Sequence, residues 1–150
     1  MTFTIASSAF TAGGMIPAKF TCEGANVSPE LRWNDAPANT QSYTLIVDDP
    51  DAPVGTFTHW VLLDIPASRA DLAEGEHKIG AAGKNDFGRA GYGGPCPPRG
   101  HGPHRYYFTL YALDTASLKV KAGASRREVE TVLRDHILAQ AQYLGRYERK

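Results

Sequence analysis

The chain has 150 residues, enough for one domain with its own apolar core, and sixteen Lys and Arg balance sixteen Asp and Glu. That balance excludes the basic excess expected of a nucleic-acid domain. No apolar run approaches the ~20 residues of a membrane span, and the first residues, Met1-Thr-Phe-Thr-Ile5, carry neither the basic segment nor the long apolar segment of a secretory leader. The expected setting is cytoplasmic. There Cys22 and Cys96, the only cysteines, are most often small buried hydrophobes; a bridge between them is arithmetically open, but sequence does not show proximity.

Taken in order, Thr2 to Ala6 and Leu31 to Trp33 read as short strands. Gly13-Gly14 and Pro17 punctuate the first connection, and Asn34 to Asn39 is a turn by composition. Ser42 to Asp48 alternates, with Tyr43, Leu45 and Val47 on one face. Asp49-Pro50-Asp51 ends that strand. Phe57 to Ile65 follows, with Phe57, His59, Val61, Leu63 and Ile65 expected on one face. Residues 67–104 have almost no regular pattern, and so long a structureless stretch inside a domain is usually functional. Its end, Gly91 to Pro103, holds five glycines and four prolines, which exclude a helix or a central strand. This stiff loop delivers His104 and Tyr106 to an aromatic strand, Arg105 to Leu113. Lys119 to Ala122 reads as one more short strand.

Ser125-Arg-Arg-Glu128 is a capping box. Val129, Val132, Leu133, Ile137, Ala141 and Leu144 then recur at helical spacing, with Gly145 as the stop. Short strands plus one terminal helix predict a mainly β, antiparallel sandwich of Greek-key type with a C-terminal α-helix, in a single domain spanning 1–150.

Parity along the strands brings the polar residues together. An antiparallel pairing of 42–48 with 57–65 sets Asp49 beside His59 at one end of the sheet. The start of strand 105–113 brings His104 and Tyr106 to the same end. An apolar floor, a few oriented polar groups and a glycine rim make a small pocket. Each residue alone has a plainer reading: a histidine on an apolar face is usually a paired core residue, and Asp-Pro-Asp is first a turn signature. As a set, two imidazoles, a phenol and backbone amides suit an oxyanion. Asp49 is expected either to orient His59 and favour its charged form or to meet an ammonium group on the ligand, and Arg99 and Arg105 are sources of positive potential unless they are plain solvated rim charges.

Asp49-Pro-Asp-Ala-Pro53, Thr58-His-Trp60 and Tyr92 to Tyr106, together with Cys22 to Pro29, resemble the phosphatidylethanolamine-binding (Raf kinase inhibitor-like) family, closest to its short bacterial members. The resemblance implies a Greek-key sandwich with a small anion cavity. Its ligand-binding residues fall on Asp49, His59, Pro97, Pro98, His104 and Tyr106, with Asp51 of the same motif supporting the loop; Arg99 and Arg105 are the supporting residues read from charge alone. It also implies pairing into a homodimer. The leading function is non-enzymatic binding of a phosphate- or carboxylate-bearing ligand such as a phospholipid head group, with no metal and no cofactor. Regulation of a partner protein such as a kinase shares that chemistry. The alternative is a hydrolase, metal-dependent or not, using the His/Asp cluster; no Ser or Cys sits in a recognisable nucleophile motif.

Overall fold

A computed structural model describes residues 2–150. Eight strands and one helix follow one another as β1 (Thr4–Ala6), β2 (Leu31–Asn34), β3 (Ser42–Asp49), β4 (Phe57–Pro66), β5 (Asp71–Leu72), β6 (Ala81–Ala82), β7 (His104–Leu113), α1 (Arg126–Leu133) and β8 (Ile137–Tyr147). They form two antiparallel sheets, one ordered β1-β2-β5 and one ordered β6-β4-β3-β7-β8. β3 and β4 are hairpin neighbours, and a long connection returns β7 to the far side of β3.

The sandwich core lies between the sheets. Ile5, Leu31, Trp33 and Leu72 of the small sheet meet Tyr43, Leu45, Val47, Leu62, Phe108 and Leu110 of the large one. A second core covers the opposite face of the large sheet, where Val129 and Leu133 of α1 pack on Ile46, Val61 and Leu63. The large sheet is therefore buried on both faces, which is why β3 is buried almost throughout rather than on alternate residues.

The single face expected for β4 is broken by two register shifts against β3, opposite Val47/Asp48 and Tyr43/Leu45. Trp60, Leu62 and Ile65 lie in the sandwich core, whereas Val61 and Leu63 lie under the helix. Each bulge adds one residue to β4 and flips the alternation beyond it. Asp64 sits at the second shift with φ 54°, and its carboxylate accepts hydrogen bonds from Ser117 Oγ at 2.9 Å and Leu118 N at 3.0 Å. That anchor drops Leu118 into the second core. Lys119 beside it has φ 55°, and the strand expected at 119–122 does not form.

The largest difference concerns the C-terminal region. The capping box is present, with Ser125 Oγ accepting from Glu128 N and the Glu128 carboxylate accepting from Ser125 N. The helix ends after Leu133, however, not near Gly145. His136 donates from its amide to Leu133 O, its ring contacts Asp114 at 2.8 Å, and the chain reverses into β8. β8 pairs with β7 from His104↔Tyr147 to Leu113↔Ile137. Without it β7 would present a long unpaired edge. Ile137, Ala141 and Leu144 fit a helix, but Ala139, Ala141, Tyr143, Gly145 and Tyr147 fit a period of two, and the free edge decides between them. Gly145 is there for space: a Cβ would stand 2.6 Å from both Ile16 and Phe10.

Cys22 and Cys96 form a disulfide across 74 residues, and Cys22 is exposed. The bridge that the sequence left open is therefore formed, and the common reading of such cysteines as small buried hydrophobes does not hold for Cys22. The bridge ties the segment after the short 3₁₀ turn Ala18–Phe20 to the Pro-rich loop, where Cys22 N also donates to Pro95 O at 3.1 Å.

Candidate ligand-binding site

At the end of the large sheet where β3 finishes and β4 and β7 begin, a cavity of about 310 Å³ opens to the surface. Asp49, His59, His104, Tyr106, Pro97 and Pro98 all line it, so the six residues expected to converge share one space. The register explains it: Asp49 faces Phe57 across the β3–β4 pair, and β7 brings His104 in beside Asp49.

Asp49 is buried, and its carboxylate is bound twice. Oδ1 accepts from Asp51 N at 2.7 Å, the Asx turn that the Asp-Pro-Asp signature promised. Oδ2 meets His104 Nδ1, also at 2.7 Å. Asp49 thus orients His104, not His59 as expected. His59 turns its Nδ1 to Gly93 O at 2.8 Å; a carbonyl only accepts, so this nitrogen carries the proton and Nε2 is left as an acceptor. Burial holds the His59 pKa below the ordinary histidine value, outweighing the Gly93 hydrogen bond and the nearby Asp49 charge. His59 is therefore no imidazolium donor near neutral pH, which corrects the charged-imidazole reading for this residue.

The unfolded chain takes up a proton at His59 near pH ~6.5, before the folded protein does, so stability is kept above that pH and falls as pH drops through the folded pKa. The His59→Gln variant is expected to show a flatter stability profile than the wild type between pH 7 and 5. Urea melts at successive pH values measure it, and parallel profiles would count against a neutral buried His59.

Tyr106 has no solvent exposure, and its hydroxyl has no hydrogen-bond partner. Burial first, then the Asp49 charge, drives its pKa far above the ordinary phenol range, so the hydroxyl keeps its proton and is a donor. Its ring stands edge-on to His59 with centroids 5.2 Å apart. The supporting residues lie outside. Asp51 takes Arg105 in a two-pronged ion pair, Nε to Oδ2 at 2.9 Å and one terminal nitrogen to Oδ1 at 2.8 Å, and also accepts Arg105 N. The guanidinium holds the Asp51 pKa at about 2. Arg99 bonds to Lys150 O at 3.2 Å. Neither arginine lines the cavity, so the positive potential expected from them is not aimed into it.

Sequence reasoning did not single out the apolar wall. Pro53, Val54, Phe57 and Phe87 line the cavity, with Val54 and Phe87 exposed at its rim. Phe57 was visible as the i−2 neighbour of His59, but Phe87 comes from the irregular stretch, where no periodicity marks it. Nor does anything in the site form a metal centre or a nucleophile pair. The two histidines turn their Nδ1 atoms to different partners, and among the described residues no group of three His, Cys, Asp or Glu is placed to hold a metal. Cys96, at the wall, is consumed by the disulfide.

Comparison with known proteins agrees with this architecture. The family model described as phosphatidylethanolamine-binding protein matches residues 6–148. A UPF0098 protein of Aquifex aeolicus is 51% identical over 148 residues, covering 95% of this chain and 86% of the relative. A Mycobacterium tuberculosis protein named "Putative lipoprotein LppC" is 41% identical, covering 97% of this chain and 72% of its own. The crystal structure of E. coli YbcL, described as a member of the mammalian PEBP family, superposes with a TM-score of 0.92 at 34% identity, covering 99% of both chains. Motifs, two-sheet fold and family match coincide, and the chain belongs to the phosphatidylethanolamine-binding protein family.

Proposed function

We propose that the cavity binds, without catalysis, the polar end of a small ligand bearing a phosphate or carboxylate group, with the ligand's apolar part against the Pro53, Phe57 and Phe87 wall. Membership in the family supports a ligand-binding role. The observation that carries the finer reading is the Tyr106 hydroxyl: fully buried, protonated and unpartnered at the cavity. A buried donor left unmade costs about 1–3 kcal/mol, and a ligand acceptor removes that cost. The lining holds no Lys or Arg, while Asp49 and His59 Nε2 can only accept. A group that both accepts and donates suits this set, and a singly protonated phosphate does so better than a fully ionised one. A phospholipid head group and a phosphorylated side chain of a partner protein, a kinase substrate among them, present the same chemistry.

The Tyr106→Phe variant separates this reading from a plain core tyrosine. Removing the unpartnered hydroxyl is expected to stabilise the free protein by about 1 kcal/mol and to weaken phosphate or phosphoethanolamine binding roughly tenfold. Calorimetry for binding and thermal melts for stability read the two opposite signs. Unchanged affinity overturns the proposal.

A covalent feature also bears on the proposed compartment. A disulfide between an exposed Cys22 and Cys96 favours an oxidising location over the reducing cytoplasm first expected. No helix among the described residues is long and apolar enough to cross a membrane. The lipoprotein name of the M. tuberculosis relative is consistent with a site outside the cytoplasm.

A further inference from the structure

His104 has two ring nitrogens, and neither is free. Nδ1 is committed to Asp49. Nε2 meets the Nδ1 of His101 at 2.6 Å, with the rings inclined at 64° and their centroids 4.8 Å apart. At that separation the two nitrogens are in direct hydrogen-bond contact, and no ligand atom fits between them. His101 does not line the cavity, yet it holds the only atom through which His104 can address a ligand.

The segment that carries His101 holds an exposed side chain on a fixed, glycine-turned backbone. His101 is exposed, while His104 is buried. Gly100 and Gly102 flank it with φ of 72° and 84°, a backbone region that side chains disfavour. A Cβ at either glycine would meet nothing within 4 Å, so neither is required by close packing. The glycines set the direction of the imidazole. The backbone is tethered on both sides, by Gly100 N to Arg149 O at 2.9 Å and His101 N to Pro98 O at 3.2 Å, which leaves side-chain rotation as the simplest route of release.

We propose that His101 is a built-in occupant of the His104 subsite, and that the polar end of a ligand reaches His104 by displacing it. This rests on the cavity being a ligand site. It adds that His101 sets the affinity threshold: a ligand must form a better bond to His104 Nε2 than the imidazole it replaces. Weak acceptors and donors are turned away at that step, and a charge-bearing group, with its stronger hydrogen bonds, is favoured.

Two measurements on the full chain and its His101→Ala variant test the proposal. Carbethoxylation by diethyl pyrocarbonate, followed residue by residue by mass spectrometry, reads access to His104 with no ligand present. His104 is expected to react several-fold faster in the variant, with labelling of His77 and His136 unchanged as controls. Titration with inorganic phosphate reads the competition, and affinity is expected to rise about two- to tenfold once the imidazole no longer has to be displaced. Equal His104 labelling in the two proteins overturns the closure. Faster labelling with unchanged affinity overturns the competition, and lower affinity makes His101 a donor to the ligand instead. If phosphate binds neither protein, the anion reading of the cavity fails, and the labelling rates alone decide whether His101 closes His104.

Discussion

His104→Ala is expected to remove ligand binding and to lower the unfolding free energy by about 3 kcal/mol, because it leaves the buried Asp49 carboxylate without its imidazole partner. Sequence reasoning gives only the first effect, with the fold largely intact, since a residue at a loop–strand junction faces a cavity. The structure adds the second. Taking away one partner of a buried carboxylate costs more than the contact is worth, as the desolvated carboxylate charge remains. Asp49 keeps one bond, from Asp51 N, which moderates the loss. Chemical denaturation of His104→Ala, Asp49→Asn and the double variant measures it. The double variant is expected to recover part of the stability lost in His104→Ala, since the amide carries no charge. A double variant that loses the sum of the two single costs would show that lost packing, not the stranded carboxylate, is responsible.

Removing the disulfide is expected to have the largest effect on stability. Cys22 and Cys96 are 74 residues apart, and closing a loop of that size restricts the unfolded chain by about 4 kcal/mol in the chain-entropy account. Cys96→Ser or reduction should therefore lower the melting temperature by roughly 10 °C. The site should respond as well. Cys96 lines the cavity next to Pro97 and Pro98, and the bridge holds that wall against the segment around Phe20, where Gly94 is packed so closely that a Cβ would stand 2.2 Å from Phe20 O. Reduced protein should bind phosphate more weakly. Differential scanning calorimetry of oxidised and reduced protein, with phosphate titrations of each, checks both claims. A melting temperature that moves by less than 2 °C would mean that the surrounding contacts fix the loop without the bridge.

Much of the site was legible because its residues lie at strand ends, where parity and antiparallel pairing dictate position. Asp49, His59, His104 and Tyr106 needed only the β3–β4 hairpin and the start of β7 to meet, and the Asp-Pro-Asp turn fixed Asp49 locally. The protonation logic was not legible. Whether His59 is charged depends on burial and on which oxygen its Nδ1 finds, and Gly93 is 34 residues away along the chain. The pairing of Asp49 with His104 rather than His59 spans 55 residues and follows from ring geometry, not from strand order.

By itself the sequence determined the β-rich class, the three motifs that line the cavity, the turn at Asp49 and the capped start of α1, because each rests on local chemistry: alternation, proline and glycine punctuation, and a hydroxyl three residues before a carboxylate. Tertiary structure decided what local chemistry leaves balanced. Residues 137–147 satisfy both a helical and an alternating pattern, and they became β8 because β7 offered an unpaired edge that only a strand can cover. The faces of β4 were decided by two bulges whose extra residues no alternation announces. The disulfide and the contact between His101 and His104 required the loop's folded path, since proximity of cysteines or imidazoles is a property of the closed chain and not of spacing along it.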